Sequence, residues 1–172
     1  MYYDLDEILA DAEVIPCRFN MTVPGLGYLD GNPGEAIDKG TKLELPLWLA
    51  EVLAVCELSE QSQTSFIDLA NPEFASSKVL NAVKTGPLAI DLLAILPNFY
   101  TLCEKWASMF NDEQLIEIVQ TLLTERASEI NNHACNAKSG NSTFLQSLDE
   151  FEKKLYHDTA KNHRLVREWL RS

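Results

Sequence analysis

The sequence predicts an α+β chain that is mostly α: a small N-terminal β module followed by an all-helical domain of about five helices. Three observations carry this reading. Between Cys17 and Val23, apolar residues alternate with Arg18, Asn20 and Thr22, the period of a half-buried strand. The stretch VPGLGYLDGNPG, residues 23–34, holds four of the chain's seven glycines. From Pro46 onward, apolar residues recur at helical spacing instead. The predicted boundary lies there: residues 1–45 form an N-terminal helix plus the β module, and residues 46–172 form the helical domain.

Each element has a local reason. Asp4 can cap a short helix whose Leu5, Ile8, Leu9 and Ala12 fall at i, i+3, i+4 and i+7. The alternating strand follows, then the glycine-rich turns, then an extended piece over Thr41–Leu45. Pro46 suits the first turn of a helix, continued by Leu47, Leu49, Val52, Leu53 and Cys56. Glu57–Ser65 is polar and rich in serine and glutamine, and reads as a loop. Asn71-Pro72 reads as a cap and first helical position, with the helix running to Lys84 and stopping at Gly86-Pro87. A long apolar segment spans Pro87 to Phe110, which Pro97 should kink or divide near Leu96. Asn111 with Gln114 resembles a capping box. The helix after it stacks Leu115, Ile118, Val119, Leu122 and Arg126 on one stripe and ends near Lys138–Gly140. Thr143 with Gln146 opens a last helix carrying Leu148, Phe151, Leu155, Val166, Trp169 and Leu170.

Composition narrows the function. With 46% hydrophobic and 23% charged residues over 172 positions, a core can form without staples. The net charge of −12 disfavours DNA phosphates, so strong direct nucleic-acid binding by the chain alone is not expected. The charge is polarised: residues 1–60 carry twelve acids against three bases, whereas residues 150–172 carry six bases against four acids. Cys17, Cys56, Cys103 and Cys135 form no C-x-x-C pair and read as free thiols in a reducing compartment. The acidic N-terminus is unlike a signal or transit peptide. The longest apolar run, Pro87–Pro97, is interrupted by Asp91 and is too short to span a bilayer.

The sequence holds no complete catalytic or ligand-binding pattern. Gly25, Gly27 and Gly31 read G-x-G-x-x-x-G, but no helix follows to offer its N-terminus to a phosphate. Pro24-Gly25, Asp30-Gly31 and Asn32-Pro33-Gly34 match turn chemistry. His133 and Cys135 diverge on a helix, so they are not a zinc pair. No catalytic residue, metal ligand or cofactor is expected. Lys161, Arg164, Arg167 and Arg171 lie near one face of the last helix. They are either a solvated face or a contact for an acidic partner surface or nucleic acid. Surplus apolar surface is concentrated between Leu88 and Phe110; such a helix is central to its own bundle or shared with another chain.

Three segments together resemble a known family. They are YYDLDEILA at 2–10, VPGLGYLDGNPG at 23–34 and GTKLELPLWLA at 40–50. They are similar to one subunit family of the eukaryotic GINS complex, the third of those called partners of Sld five. The resemblance runs the length of the chain in order and is most specific in the first fifty residues. It implies a nuclear, non-catalytic scaffold, one of four related subunits in a heterotetramer. That tetramer joins the MCM ring and a RecJ-like activator in the replicative helicase, for initiation and elongation of DNA replication. The alternative, from a different class, is an unrelated small helical enzyme or a stand-alone adaptor.

Residues expected to face partners or to dock the β module are Leu5, Ile8, Leu9, Tyr28 and Trp48 in the first part. In the helical part they are Leu92, Phe99, Tyr100, Trp106, Arg167 and Trp169. Trp48 is the expected bridge: it follows Pro46 and sits to one side of the stripe that serves the helical core, with a surface position as the alternative. If its ring is fully buried, Trp48→Ala should cost roughly 3–5 kcal/mol.

Overall fold

The computed structural model of the protein describes residues 4–59, 62–136 and 143–171. The chain forms two compact units, Met1–Pro72 and Glu73–Ser172. The fold class is the expected one, a small antiparallel sheet followed by a helical bundle. The division differs from the expected boundary after Leu45. Residues 46–72 belong with the sheet because the helix after Pro46 packs on it and a further strand completes it.

The N-terminal unit begins with α1 (Leu5–Asp11), capped by Asp4, whose carboxylate accepts from the Asp6 N–H at 3.1 Å. Strand β1 (Val14–Phe19) follows, then β2 (Lys42–Pro46) and α2 (Leu47–Val55). A hairpin of β3 (Glu57–Ser59) and β4 (Ser62–Ser65) comes next, then β5 (Ile67–Leu69). The sheet order is β2-β1-β5, all antiparallel, with Cys17 opposite both Leu43 and Leu69. Alternation sets the faces: Ile15, Cys17 and Phe19 are buried with Leu45 and Ile67, while Val14, Arg18, Lys42, Glu44 and Asp68 face water. Helix α2 covers the buried side, contacting β1, β2 and β5. The strand starts three residues earlier than the alternation suggested, and Val23 pairs only as a single bridge with Ile37. Within the Glu57–Ser65 stretch, expected as a loop, Glu57–Ser59 and Ser62–Ser65 pair instead as antiparallel strands.

The glycine-rich stretch folds as turns. Val23 and Ile37 exchange backbone hydrogen bonds of 2.8 and 2.9 Å and close the loop. A single 3-10 turn, Gly27–Asp30, lies inside it and ends at Gly31 with φ of 77°. Gly27 is needed for close approach: it is buried, and a Cβ there would run into the Asn32 and Glu35 carbonyl oxygens. Gly27→Ala should therefore destabilise the N-terminal unit by about 1–3 kcal/mol through overpacking. A shift in the urea midpoint would show it; an unchanged midpoint would mean the loop can open at no cost.

The helical unit starts with a 3-10 turn at Glu73–Ala75 and α3 (Ser77–Thr85). Ser76 caps α3 by accepting from the Val79 N–H, displacing the cap expected at Asn71. The long apolar segment is divided: α4 (Leu92–Ile95) is one turn, Leu96 is extended, and α5 (Phe99–Phe110) restarts after Pro97. The residue before a proline is driven out of the helical region, which is why the break falls at Leu96. Asn111 ends α5 in the left-handed region at φ 51° instead of capping the next helix. Asp112 caps α6 (Glu113–Cys135) by accepting from the Leu115 N–H at 3.0 Å. Leu115, Ile118, Leu122, Arg126 and Ile130 form its buried stripe. The expected end of this helix at Lys138–Gly140 lies outside the described residues. Thr143–Gln146 is a separate turn, α7, and α8 (Glu150–Trp169) is capped by Asp149. Helix α6 packs against α3, α5 and α8, with Phe99, Leu102 and Leu148 among the buried core side chains. No helix of the described residues is long and apolar enough to cross a membrane.

Candidate interaction surfaces

A fully buried arginine sits at the centre of the helical unit. Arg126 occupies a core position on α6, and all five of its N–H donors are used. Nε and Nη2 donate to the two Glu152 carboxylate oxygens at 2.7 and 2.8 Å. Nη1 donates to the Pro87 and Ile90 carbonyls at 3.0 and 3.1 Å, and Nη2 also reaches the Ser147 carbonyl at 3.3 Å. The Phe144 ring lies 4.9 Å from the guanidinium carbon, close enough for a cation–π contact. The Tyr100 hydroxyl donates to Glu152 at 2.8 Å. Burial and the Glu152 carboxylate both push the Tyr100 phenol far above its ordinary range, so it stays a donor. The forked donor geometry suits arginine and would not suit lysine. One side chain thus ties together the chain before α4, the end of α7, and α8. The arrangement is structural: every donor is spent on holding segments in place.

Asp149 completes the cluster. Fully buried, it accepts from the Glu152 N–H at 2.8 Å and the Tyr100 N–H at 3.4 Å. Burial pushes its carboxyl from 3.8 up to about 7, the Glu152 charge adding to the rise while the backbone donors and Arg126 oppose it. The folded chain therefore holds this proton more tightly than the unfolded chain. The associated stability is fully present below pH 3.8 and is lost as pH rises to about 7. Asp149→Asn keeps a good N-cap and removes the titration. Its urea midpoint should gain on the parent's steadily from pH 4 to pH 7.5; parallel curves would show that Asp149 is ionised throughout.

The other expected sites are accounted for singly. His133 lies 3.3 Å from Glu129 and stacks on Phe144, while Cys135 approaches Asn131 at 3.6 Å. Among the described residues, no group of three His, Cys, Asp or Glu side chains could hold a metal ion. Burial pushes the Cys17 and Cys103 thiols up to about 11 and about 12, which makes them poor nucleophiles at neutral pH.

The residues expected at interfaces separate into two sets. Leu92, Phe99, Tyr100 and Trp106 are buried in the helical unit's own core. The apolar 87–110 segment is thus partly taken up by the core; Ile90, Leu93, Ile95, Leu96 and Met109 are half-buried, and Leu88 and Phe110 are exposed. Leu5, Ile8, Leu9, Tyr28, Trp48, Arg167 and Trp169 are exposed. Trp48 is 55% exposed, so the cost expected for a fully buried ring does not apply. The reason is register: Leu47 and Ala50 turn inward, which sends Trp48, Val52 and Val55 outward at i, i+4 and i+7. Sequence reasoning missed Val52 and Val55 as exposed sites. Every residue from 164 to 170 is exposed, including Leu165, Val166, Trp169 and Leu170. Apolar side chains grouped this way mark contact surfaces.

Residues 3–55 match the family model of the PSF3 N-terminal domain, and residues 74–171 match that of the GINS complex protein helical bundle domain. A Debaryomyces hansenii protein named DNA replication complex GINS protein PSF3 is 63% identical over 171 residues, covering 99% of this chain and 97% of the relative. The chain belongs to the PSF3 family of GINS proteins. PSF3 relatives under the same name in Candida albicans and Saccharomyces cerevisiae are 49% and 39% identical, each covering 97% of the relative and 99% and 98% of this chain. The PSF3 match to residues 3–55 falls within the first compact unit and the helical-bundle match within the second. Strand β5 lies outside both matches although it completes the sheet. The alternative of a chain unrelated to this family, a small helical enzyme or a stand-alone adaptor, is overturned only as to relatedness, by the two family matches and the 63% identical relative.

Proposed function

We propose that the chain is a non-catalytic structural subunit of a heterotetrameric GINS complex, working in the nucleus in the initiation and elongation of DNA replication. Its partners are the three other GINS subunits. Through the assembled complex it joins the MCM ring and a RecJ-like activator protein. Family membership supports the assembly, and the geometry adds one observation: the last turns of α8 project Leu165, Val166, Trp169 and Leu170 into solvent beside Arg164, Arg167 and Arg171. A helix end both apolar and basic fits a protein surface better than water. A partner that binds only the folded chain would stabilise it by mass action.

Co-expression with the other three subunits, followed by light scattering on the eluted peak, tests the reading. One copy of each subunit in a single species is expected. A chain that elutes alone as a monodisperse monomer, with a melting temperature indifferent to the other three, would sink it. Within the assembly, Trp169→Ala should weaken association by about 2 kcal/mol or more, as central aromatic anchors do, while leaving the melting of the isolated chain nearly unchanged. Equal affinity of parent and variant would remove α8 from the interface.

A further inference from the structure

The N-terminal unit carries a second unpartnered apolar surface, of different charge. Eight of the nine residues of α2 are apolar, the exception being Glu51. A helix apolar on all sides is either buried or shared with another chain. Here the sheet, α1 and β4 cover part of the helix, and Trp48, Val52 and Val55 stay more than half exposed. Helix α1 packs against α2 and repeats the pattern: Leu5, Ile8 and Leu9 lie at i, i+3 and i+4, all more than half exposed, and Ala10 alone is buried.

The charges around these stripes have one sign. Asp4 lies four residues before Ile8, and Glu51 lies three residues from Trp48 and four from Val55. There is no Lys or Arg from residue 1 to 17 or from 43 to 59. A second copy of the same surface would bring acid against acid, so charge disfavours self-pairing. An apolar stripe with an acidic border complements an apolar stripe with a basic border.

We infer that the α1–α2 surface is a docking site for a basic amphipathic helix of a partner protein. Apolar side chains of that helix cover Ile8, Leu9, Trp48 and Val52, and its lysines or arginines meet Asp4 and Glu51.

The probes are two labelled synthetic helices, one of leucine and lysine and one of leucine and glutamate, titrated with the full chain by fluorescence anisotropy. The Leu/Lys helix should bind at least roughly tenfold more tightly. The double variant Ile8→Glu with Val52→Glu should weaken that binding at least roughly tenfold, although it makes the chain more acidic. Both positions are exposed, so the core is untouched. Glu51→Lys should weaken the Leu/Lys helix and favour the Leu/Glu helix. Equal binding of the two helices would overturn the assignment. So would a double variant that binds as well as or better than the parent, which would mean adherence by charge alone, and so would a Glu51→Lys chain with unchanged preference. Sizing of the parent chain with the three other subunits is run beside these titrations. A failure to assemble there strikes the subunit reading and leaves the peptide result standing.

Discussion

Arg126→Met should destabilise the helical unit by about 3–5 kcal/mol, because Glu152 is then left buried without its countercharge. Both side chains have no solvent exposure and lie 2.7 Å apart. The loss measures the orphaned carboxylate more than the worth of the pair. Adding Glu152→Leu should recover a large part of it, since two packed apolar side chains leave no uncompensated charge. Recovery stays incomplete because the Pro87, Ile90 and Ser147 carbonyls each lose a donor. Urea unfolding followed by helical circular dichroism compares all three chains. A single-variant cost below about 1 kcal/mol, the range of an exposed ion pair, would contradict the burial described here.

Trp106→Ala should cost about 3–5 kcal/mol, the range for truncating a large core aromatic. Trp106 is 6% exposed on α5 and meets the edge of Phe74 at 6.0 Å and the Phe110 ring at 4.6 Å. Phe74 stands in the 3-10 turn that opens the helical unit. Losing its ring partner should loosen that turn before the rest of the bundle. Limited proteolysis should then cut near residues 73–76 faster than in the parent, with a lowered urea midpoint. An unchanged midpoint would show that neighbouring side chains collapse into the cavity.

The α6 stripe was legible because its 3.6-residue period is unbroken over four turns, and Arg126 was placed on it correctly. Its partner was not legible. Glu152 is one of several charged residues early in α8, and nothing in local spacing singles it out. An arginine on an apolar stripe says only that some acceptor must be buried with it. Strand β5 was missed for a different reason. Ile67, Asp68 and Leu69 are too few to show alternation, and their strand character comes from pairing with β1, fifty residues earlier. The exposed apolar residues of α1, Leu5, Ile8 and Leu9, were legible from its narrow stripe. The exposure of Trp48 was not legible because eight of the nine residues of α2 are apolar, so its period does not say which side the sheet takes. Helix α5 shows the opposite outcome: its apolar side is taken up by the bundle, with Phe99, Leu102, Cys103 and Trp106 buried.

The reach of the Arg126 hydrogen bonds also sets an order of events during synthesis. Its acceptors at Pro87 and Ile90 leave the ribosome before it does, but Ser147 and Glu152 follow 21 and 26 residues later. At about 5–20 residues per second, the guanidinium waits roughly 1–5 s for its countercharge. Every strand pairing of the N-terminal sheet lies within the first seventy residues. The nascent chain should therefore acquire protease resistance in two steps, the sheet unit first and the helical unit only after Glu152 has emerged. Arrested ribosome complexes of increasing length would show the second step; resistance of the helical segment before Glu152 emerges would mean that the buried pair is not what closes the bundle.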